Sequence, residues 1–251
     1  MCSIVILYRP GHDWPVLVGA NRDEMLDRPS AAPGRHWPDR PQVVAGLDRL
    51  AGGSWLGVND AGVVAGIMNR VNSLGPAPGK RSRGELVLEA LDHPDAAIAA
   101  EALGALDPAA YRPFNMVIAD NREAFWLRNL GIREGWVEVD PLPPGLSMLT
   151  AHDRNDVAGS KRIGTFLPRF ERAPVPDPET GDWRGWETLL ASRERVPDGG
   201  VYDSMTIADA GGFGTISSAL IALAAPGRKK RAIWRFANGR PDRNSYVDVT
   251  L

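Results

Sequence analysis

Cysteine is almost absent from this chain: 251 residues hold one, Cys2, within the opening MCSIVILYRP. A lone cysteine excludes an internal disulfide and a cysteine-rich metal site. An excess of basic residues is also missing, with 29 Lys and Arg against 31 Asp and Glu and a net charge of −2. No stripe of Lys and Arg interleaves with aromatics, which argues against a nucleic-acid partner. The one basic run, GRKKR at 227–231, sits between Ala-Pro and the strand-like AIWRF and reads as a solvated hairpin tip. No run reaches the ~20 apolar residues of a membrane helix. The first residues lack the basic stretch and small-residue cleavage site of a signal peptide. A cytoplasmic protein, in surroundings where a free thiol survives, is the expectation. Histidine is scarce: His12, His36, His93 and His152 lie apart, none with a partner at metal-ligand spacing. No metal and no cofactor are therefore expected, and no pattern speaks to oligomeric state.

Two glycine-rich stretches imitate nucleotide sites and fail on spacing. GPAPGKRS (75–82) has three residues between its glycines where a phosphate loop has four, and Arg81 separates Lys80 from Ser82. GGFGT (211–215) has neither the spacing nor the following helix of a dinucleotide fingerprint, and reads as a flexible turn.

What is present is a block order. Strand-like SIVILY (3–8), PVLVGA (15–20), SWLGV (54–58) and VVAGIMN (63–69) come first. Helical patterns follow at 83–92 and 95–106, with Ser82 and Glu85 at capping-box spacing. Strands return at 114–120, 124–130 and 136–139. Helical candidates at 159–171 and 183–195 flank a proline-rich loop, and strands close the chain at 215–223, 232–237 and 245–249. Segregated blocks of this kind predict an α+β domain of two largely antiparallel sheets stacked face to face, with helices outside. No linker divides it, so residues 1–251 read as one domain.

The stretch GANRDEMLDRPS (19–30) places five charges within 22–28, just past the second apolar strand. Two antiparallel neighbours joined near residues 9–14 bring residue 2 opposite roughly residue 21. Register counting therefore sets Asn21, Arg22 and Asp23 beside the only thiol. Were Met1 removed, Cys2 would hold a thiol and an α-amine on one residue, both titrating near physiological pH.

With MC at the start, ANRDE and RPS after the second strand, then GGSWLGV, RGELV and FNMVIAD in order to about residue 120, the chain resembles the NRDE family. That family is also called transport-and-Golgi-organisation-protein-2-like. Its N-terminal pattern is similar to that of N-terminal-nucleophile hydrolases such as the cholylglycine amidases, whose fold is a four-layer αββα sandwich. The resemblance implies Cys2 as nucleophile, Asp23 as the carboxylate near the sulfur and new α-amine, and Asn69 near an oxyanion. Asn21 and Arg22 complete the signature. It implies a small amide as substrate; alternatively, the fold serves as a non-catalytic binding or trafficking protein for a haem-like or lipid-related ligand, as animal relatives are linked to haem trafficking. Two positions depart from the family pattern: its Ser-Asn reads Ser147-Met148 here, and a late arginine after Gly-Thr is Ile216.

Overall fold

The computed structural model describes residues 2–132, 135–196, 198–228 and 232–251. In chain order the first block is β1 (Ser3–Tyr8), β2 (Val16–Met25), β3 (Ser30–Gly34), β4 (Val43–Asp48), β5 (Leu56–Asn59) and β6 (Val64–Asn69). Helices α1 (Gly84–Leu91) and α2 (Ala96–Gly104) follow, then β7 (Phe114–Ala119), β8 (Ala124–Asn129), β9 (Glu138–Pro141) and β10 (Gly145–Leu149). The last block is α3 (Lys161–Arg172), α4 (Arg184–Leu190), β11 (Phe213–Leu223), β12 (Ala232–Ala237) and β13 (Val247–Asp248).

Two antiparallel sheets result. One has the order β10-β1-β2-β11-β12-β13, the other β3-β4-β5-β6-β7-β8-β9. Side chains alternate across each strand, and three apolar layers follow from that. Ile4, Ile6, Val16 and Val18 of the first sheet meet Leu56, Val58 and Val117 of the second between the sheets. Val5, Leu7 and Leu17 turn the other way, onto Phe166, Phe170 and Trp186 of α3 and α4. Ala65, Met116 and Ile118 face Leu86, Val87 and Leu103 of α1 and α2. This is the four-layer αββα sandwich expected from the block order.

Polar residues inside the strand motifs hold the layers in place. In FNMVIAD, Asn115 Nδ2 donates to Thr150 O (2.9 Å) and His152 O (2.7 Å), tying the second sheet to the chain leaving β10 of the first. Asp120 at the end of that motif accepts from the Ala96 N–H at the start of α2 (2.9 Å). It also accepts from the Arg122 and Glu123 N–H groups of the hairpin turn (2.7 and 2.9 Å). GGSWLGV and RGELV meet directly: the Ser54 N–H donates to Gly84 O (2.9 Å). A Cβ on Gly53 would stand 2.5 Å from the Gly84 carbonyl carbon, so only glycine lets the two backbones approach.

Several expectations need correction. The second strand does not stop at residue 20 but runs to Met25, because β11 pairs along it from Phe213 opposite Met25 to Leu223 opposite Val16. Its charged end is buried through side-chain partners, which a hydropathy pattern does not register. Strands β3 and β4 lie in a Pro- and Arg-rich stretch without an alternating signal. The capping box does not form: α1 begins after Arg83 with no side-chain cap. Glu85 instead accepts from Tyr111 Oη (2.6 Å) and pairs with Arg81 (2.6 Å). The fourth helix ends at Leu190, whose carbonyl is taken by Asn21 Nδ2 (2.9 Å) and Thr206 Oγ1 (2.7 Å). Of the basic run 227–231, residues 229–231 lie outside the described residues. Among the described residues no helix is long and apolar enough to cross a membrane.

Gly53→Ala forces the Gly84 backbone to move and is expected to destabilise the protein by about 1–3 kcal/mol. A lowered urea midpoint at unchanged slope checks it; an unchanged midpoint would mean the contact between the two motifs is loose.

Candidate active site

The β1–β2 register sets Ser3 opposite Asn21, so Cys2 lies against the Asn21–Asp23 segment as counting predicted. Alternation then divides the signature between two faces. Cys2 packs on the inter-sheet side with Trp55, and Arg22 is on that side too, its guanidinium 3.8 Å from the Trp55 ring centroid. Asn21 and Asp23 point to the helix side.

The thiol is half-buried and touches Asp23 through the backbone. The Asp23 N–H donates to Sγ (3.4 Å) and Sγ donates to Asp23 O (3.5 Å). Burial, and after it the charge of Asp23, push the Cys2 thiol pKa up. The proton therefore stays on sulfur at neutral pH unless a base takes it.

Asp23 is held by a dry network. Its side chain and that of Arg162 are 0% and 2% exposed, with Arg162 Nη1 3.1 Å from Asp23 Oδ2. The same Nη1 donates to Ser3 Oγ (2.7 Å), and Nη2 donates to Tyr202 O (2.6 Å). Thr215 Oγ1 donates to Asp23 Oδ1 (2.6 Å) and accepts from the Ile207 N–H (2.9 Å). Asn21 is spent on architecture: Nδ2 donates to Leu190 O and Met205 O (2.9 Å each), and Oδ1 accepts from Ser218 Oγ (2.6 Å).

Arg22 lies in the cleft wall beside Cys2. Its Nη2 donates to Asp48 Oδ2 (3.3 Å), while Nη1 is buried with no hydrogen-bond partner among the described residues. Burial lowers the pKa of this arginine. Against the cost of burial, hydrogen bonds from Arg28 and the Ala51 N–H hold the Asp48 carboxyl below its usual range. Trp55 is itself set by close approach, since a Cβ on Gly46 would fall 2.3 Å from its ring.

These residues open on a cleft of about 720 Å³, within the range of small-molecule sites. Cys2, Arg22, Trp55 and Asn69 line it; Asn69 ends β6, across from Phe114. A second cavity of about 20 Å³, the size of one water, borders Cys2, Arg22, Trp55 and Ser217. Of the chain's first three tryptophans, Trp55 lines the cleft. Trp14 packs into the layer under α3 and α4, and Trp37 packs against the α1–α2 layer.

A model of the family Transport and Golgi organisation 2 matches residues 1–157. The chain belongs to this family. No curated protein sequence matches it significantly. Among solved structures it is similar to the Caenorhabditis elegans N-acylethanolamine-hydrolyzing acid amidase ortholog. The TM-score is 0.58 at 14% identity, covering 92% of this chain and 95% of that one. It is also similar to a mutant of the conjugated bile acid hydrolase from Clostridium perfringens. There the TM-score is 0.53 at 11% identity, covering 100% and 97%. At such identities the likeness shows the fold, that of the N-terminal-nucleophile hydrolases.

In this member of the family the two departures have structural accounts. Met148 is a core residue under α3, opposite Val5. Ile216 sits at the bulge where the β11 register shifts between Thr215 and Ser217. A buried arginine does reach Asp23, but from α3. Sequence reasoning missed Arg162, although one signal marks it: it shares the apolar stripe 162, 163, 166, 167 and 170 of its helix. A charge on an apolar stripe needs a buried partner.

Asp23→Asn leaves the Arg162 charge buried without its carboxylate and is expected to cost about 3–5 kcal/mol. Adding Arg162→Met should recover most of that loss in urea unfolding; additive losses would sink the pairing. The raised thiol pKa predicts that, with Met1 in place, iodoacetamide alkylation of Cys2 is slow at neutral pH. Its rate should climb through a midpoint above the ordinary ~8.5. A midpoint at or below that value contradicts the burial described.

Proposed function

We propose that this protein is an N-terminal-cysteine amidohydrolase that cleaves a small amide through an acyl-enzyme on Cys2. The observation that carries the reading is the position of the thiol: on the wall of a cleft of substrate size, hydrogen-bonded to the Asp23 backbone. Family membership and the shared fold of amide-cleaving neighbours support it.

Removal of Met1 frees the α-amine of Cys2, with an unperturbed pKa of about 7.7–8.0. The charge of Asp23 that opposes a thiolate also favours an ammonium. The amine therefore takes the thiol proton as sulfur attacks the amide carbonyl, rather than meeting a preformed thiolate. The developing oxyanion needs fixed donors. Asn69 is one, as the family resemblance implies, and Arg22 Nη1, without a hydrogen-bond partner among the described residues, is a second. Collapse of the tetrahedral intermediate returns the proton to the leaving amine and leaves a thioester on Cys2. Water, deprotonated by the same α-amine, then releases the acid and restores the thiol.

Two measurements test the proposal. Intact mass of the purified protein should be lighter than the full chain by one methionine residue; complete retention of Met1 would remove the base. On a panel of chromogenic N-acyl amides, Cys2→Ala should lower turnover by at least about a thousandfold. Equal turnover by both proteins would take Cys2 out of the reaction.

A further inference from the structure

The cleft is not electrically neutral. Six cationic side chains line it, Arg22, Arg28, Lys80, Arg81, Arg83 and Arg112, against the acids Asp23, Glu24 and Asp48. The acids are already engaged. Asp48 holds Arg22 and Arg28 (3.3 and 2.7 Å), Glu24 reaches Arg28 (3.7 Å), and Asp23 holds Arg162 behind the sheet (3.1 Å). Arg81 is paired with Glu85 (2.6 Å).

Lys80, Arg83 and Arg112 have no carboxylate within ion-pair distance among the described residues. Backbone carbonyls fix them instead. Arg112 Nη1 donates to Leu74 O (2.6 Å), Gly75 O (3.3 Å) and Pro76 O (3.2 Å), and its Nη2 donates to Asn72 O (3.0 Å). Arg83 Nη1 donates to Ser73 O (2.8 Å) and Pro113 O (2.9 Å), and Lys80 Nζ donates to Ala109 O. Burial and the nearby Arg112 bring the Arg83 pKa down to about 10, so it remains charged at neutral pH. Carbonyls satisfy the donors without cancelling the charge. The stretch that imitates a phosphate loop is therefore one wall of the Cys2 cleft, positive and held in place.

The same cleft also carries apolar surface. Met25, Leu50 and Leu74 border it while 44, 69 and 53% exposed, and Phe213 adds a ring. Exposed apolar side chains gathered at a cleft mouth mark a binding surface rather than a solvated one.

We infer that the cleft selects an amphipathic amide, apolar at one end and bearing a carboxylate at the other, with the carboxylate held by the field of Lys80, Arg83 and Arg112. The inference rests on the reading of this cleft as the substrate site. Walls of one sign and low dielectric concentrate ligands of the opposite sign, and the effect weakens as salt shortens the Debye length.

The test separates binding from turnover. In Cys2→Ala protein, titration calorimetry with N-octanoylglycine and with its methyl ester compares an anion with its neutral twin. The free carboxylate is expected to bind at least about tenfold tighter at low salt, with the advantage shrinking as salt rises. Lys80→Glu in the same background reverses one exposed charge without touching the core, and should remove most of the preference. Equal affinities, a tighter ester, no binding of either, or a preference untouched by Lys80→Glu would each overturn the inference. Wild-type turnover of N-octanoylglycine reports separately on the reaction. A preserved preference without turnover would sink the hydrolase and leave charge selection standing.

Discussion

The pairing of β1 with β2, Ser3 against Asn21, is the constraint on which the site depends. Side chains alternate across a sheet with period two, so a slip of one residue would send every group to the opposite face. In the observed register Cys2 and Arg22 share the inter-sheet face, where the cleft opens. Ser3, Asn21 and Asp23 share the other face, where α3 and α4 cover them. Three consecutive polar residues thus do three different jobs. Asn21 binds the end of α4, Arg22 lines the cleft, and Asp23 holds a buried arginine.

Electrostatics explain why this strand end tolerates burial. An isolated carboxylate or guanidinium is costly to remove from water. Here Asp23 meets Arg162 and Thr215, and Arg162 also meets Ser3 and the Tyr202 carbonyl. The network ties the start of the chain to α3 and to β11, so position 2 inherits the order of three elements. Burial, and after it the charge of Asp23, keep the neighbouring thiol protonated. In the proposed reaction the thiol is therefore held in the neutral form and relies on a local base at the moment of attack.

The cleft is assembled from parts distant in the chain. Close backbone contact between Gly53 and Gly84 brings the loop before α1 against the connection between β4 and β5, and Arg112 grips four carbonyls of that loop. The positive wall and the thiol therefore belong to one cavity although some 80 residues separate Cys2 from Arg83. A rigid wall is what lets fixed charges discriminate, since their orientation has been settled by folding rather than by the ligand.

The amino-acid sequence by itself determined the block order of strands and helices, and with it the αββα layering, because hydrophobic periodicity and turn residues are local properties. It also placed Cys2 beside residues 21–23, since two neighbouring strands and a short turn leave little freedom in register. Other features were not legible there. Strands β3 and β4 carry no alternating pattern, and the second strand runs on through charged residues whose partners are far away in the chain. The Ser82–Glu85 spacing promised a cap, but Tyr111 and Arg81 took the glutamate. Only tertiary structure brought Arg162 to Asp23, left one buried nitrogen of Arg22 without a hydrogen-bond partner among the described residues, and made a wall of the loop at 74–83. Each of these is a long-range pairing of charges or hydrogen-bonding groups, and its energy depends on distances that the order of residues does not contain.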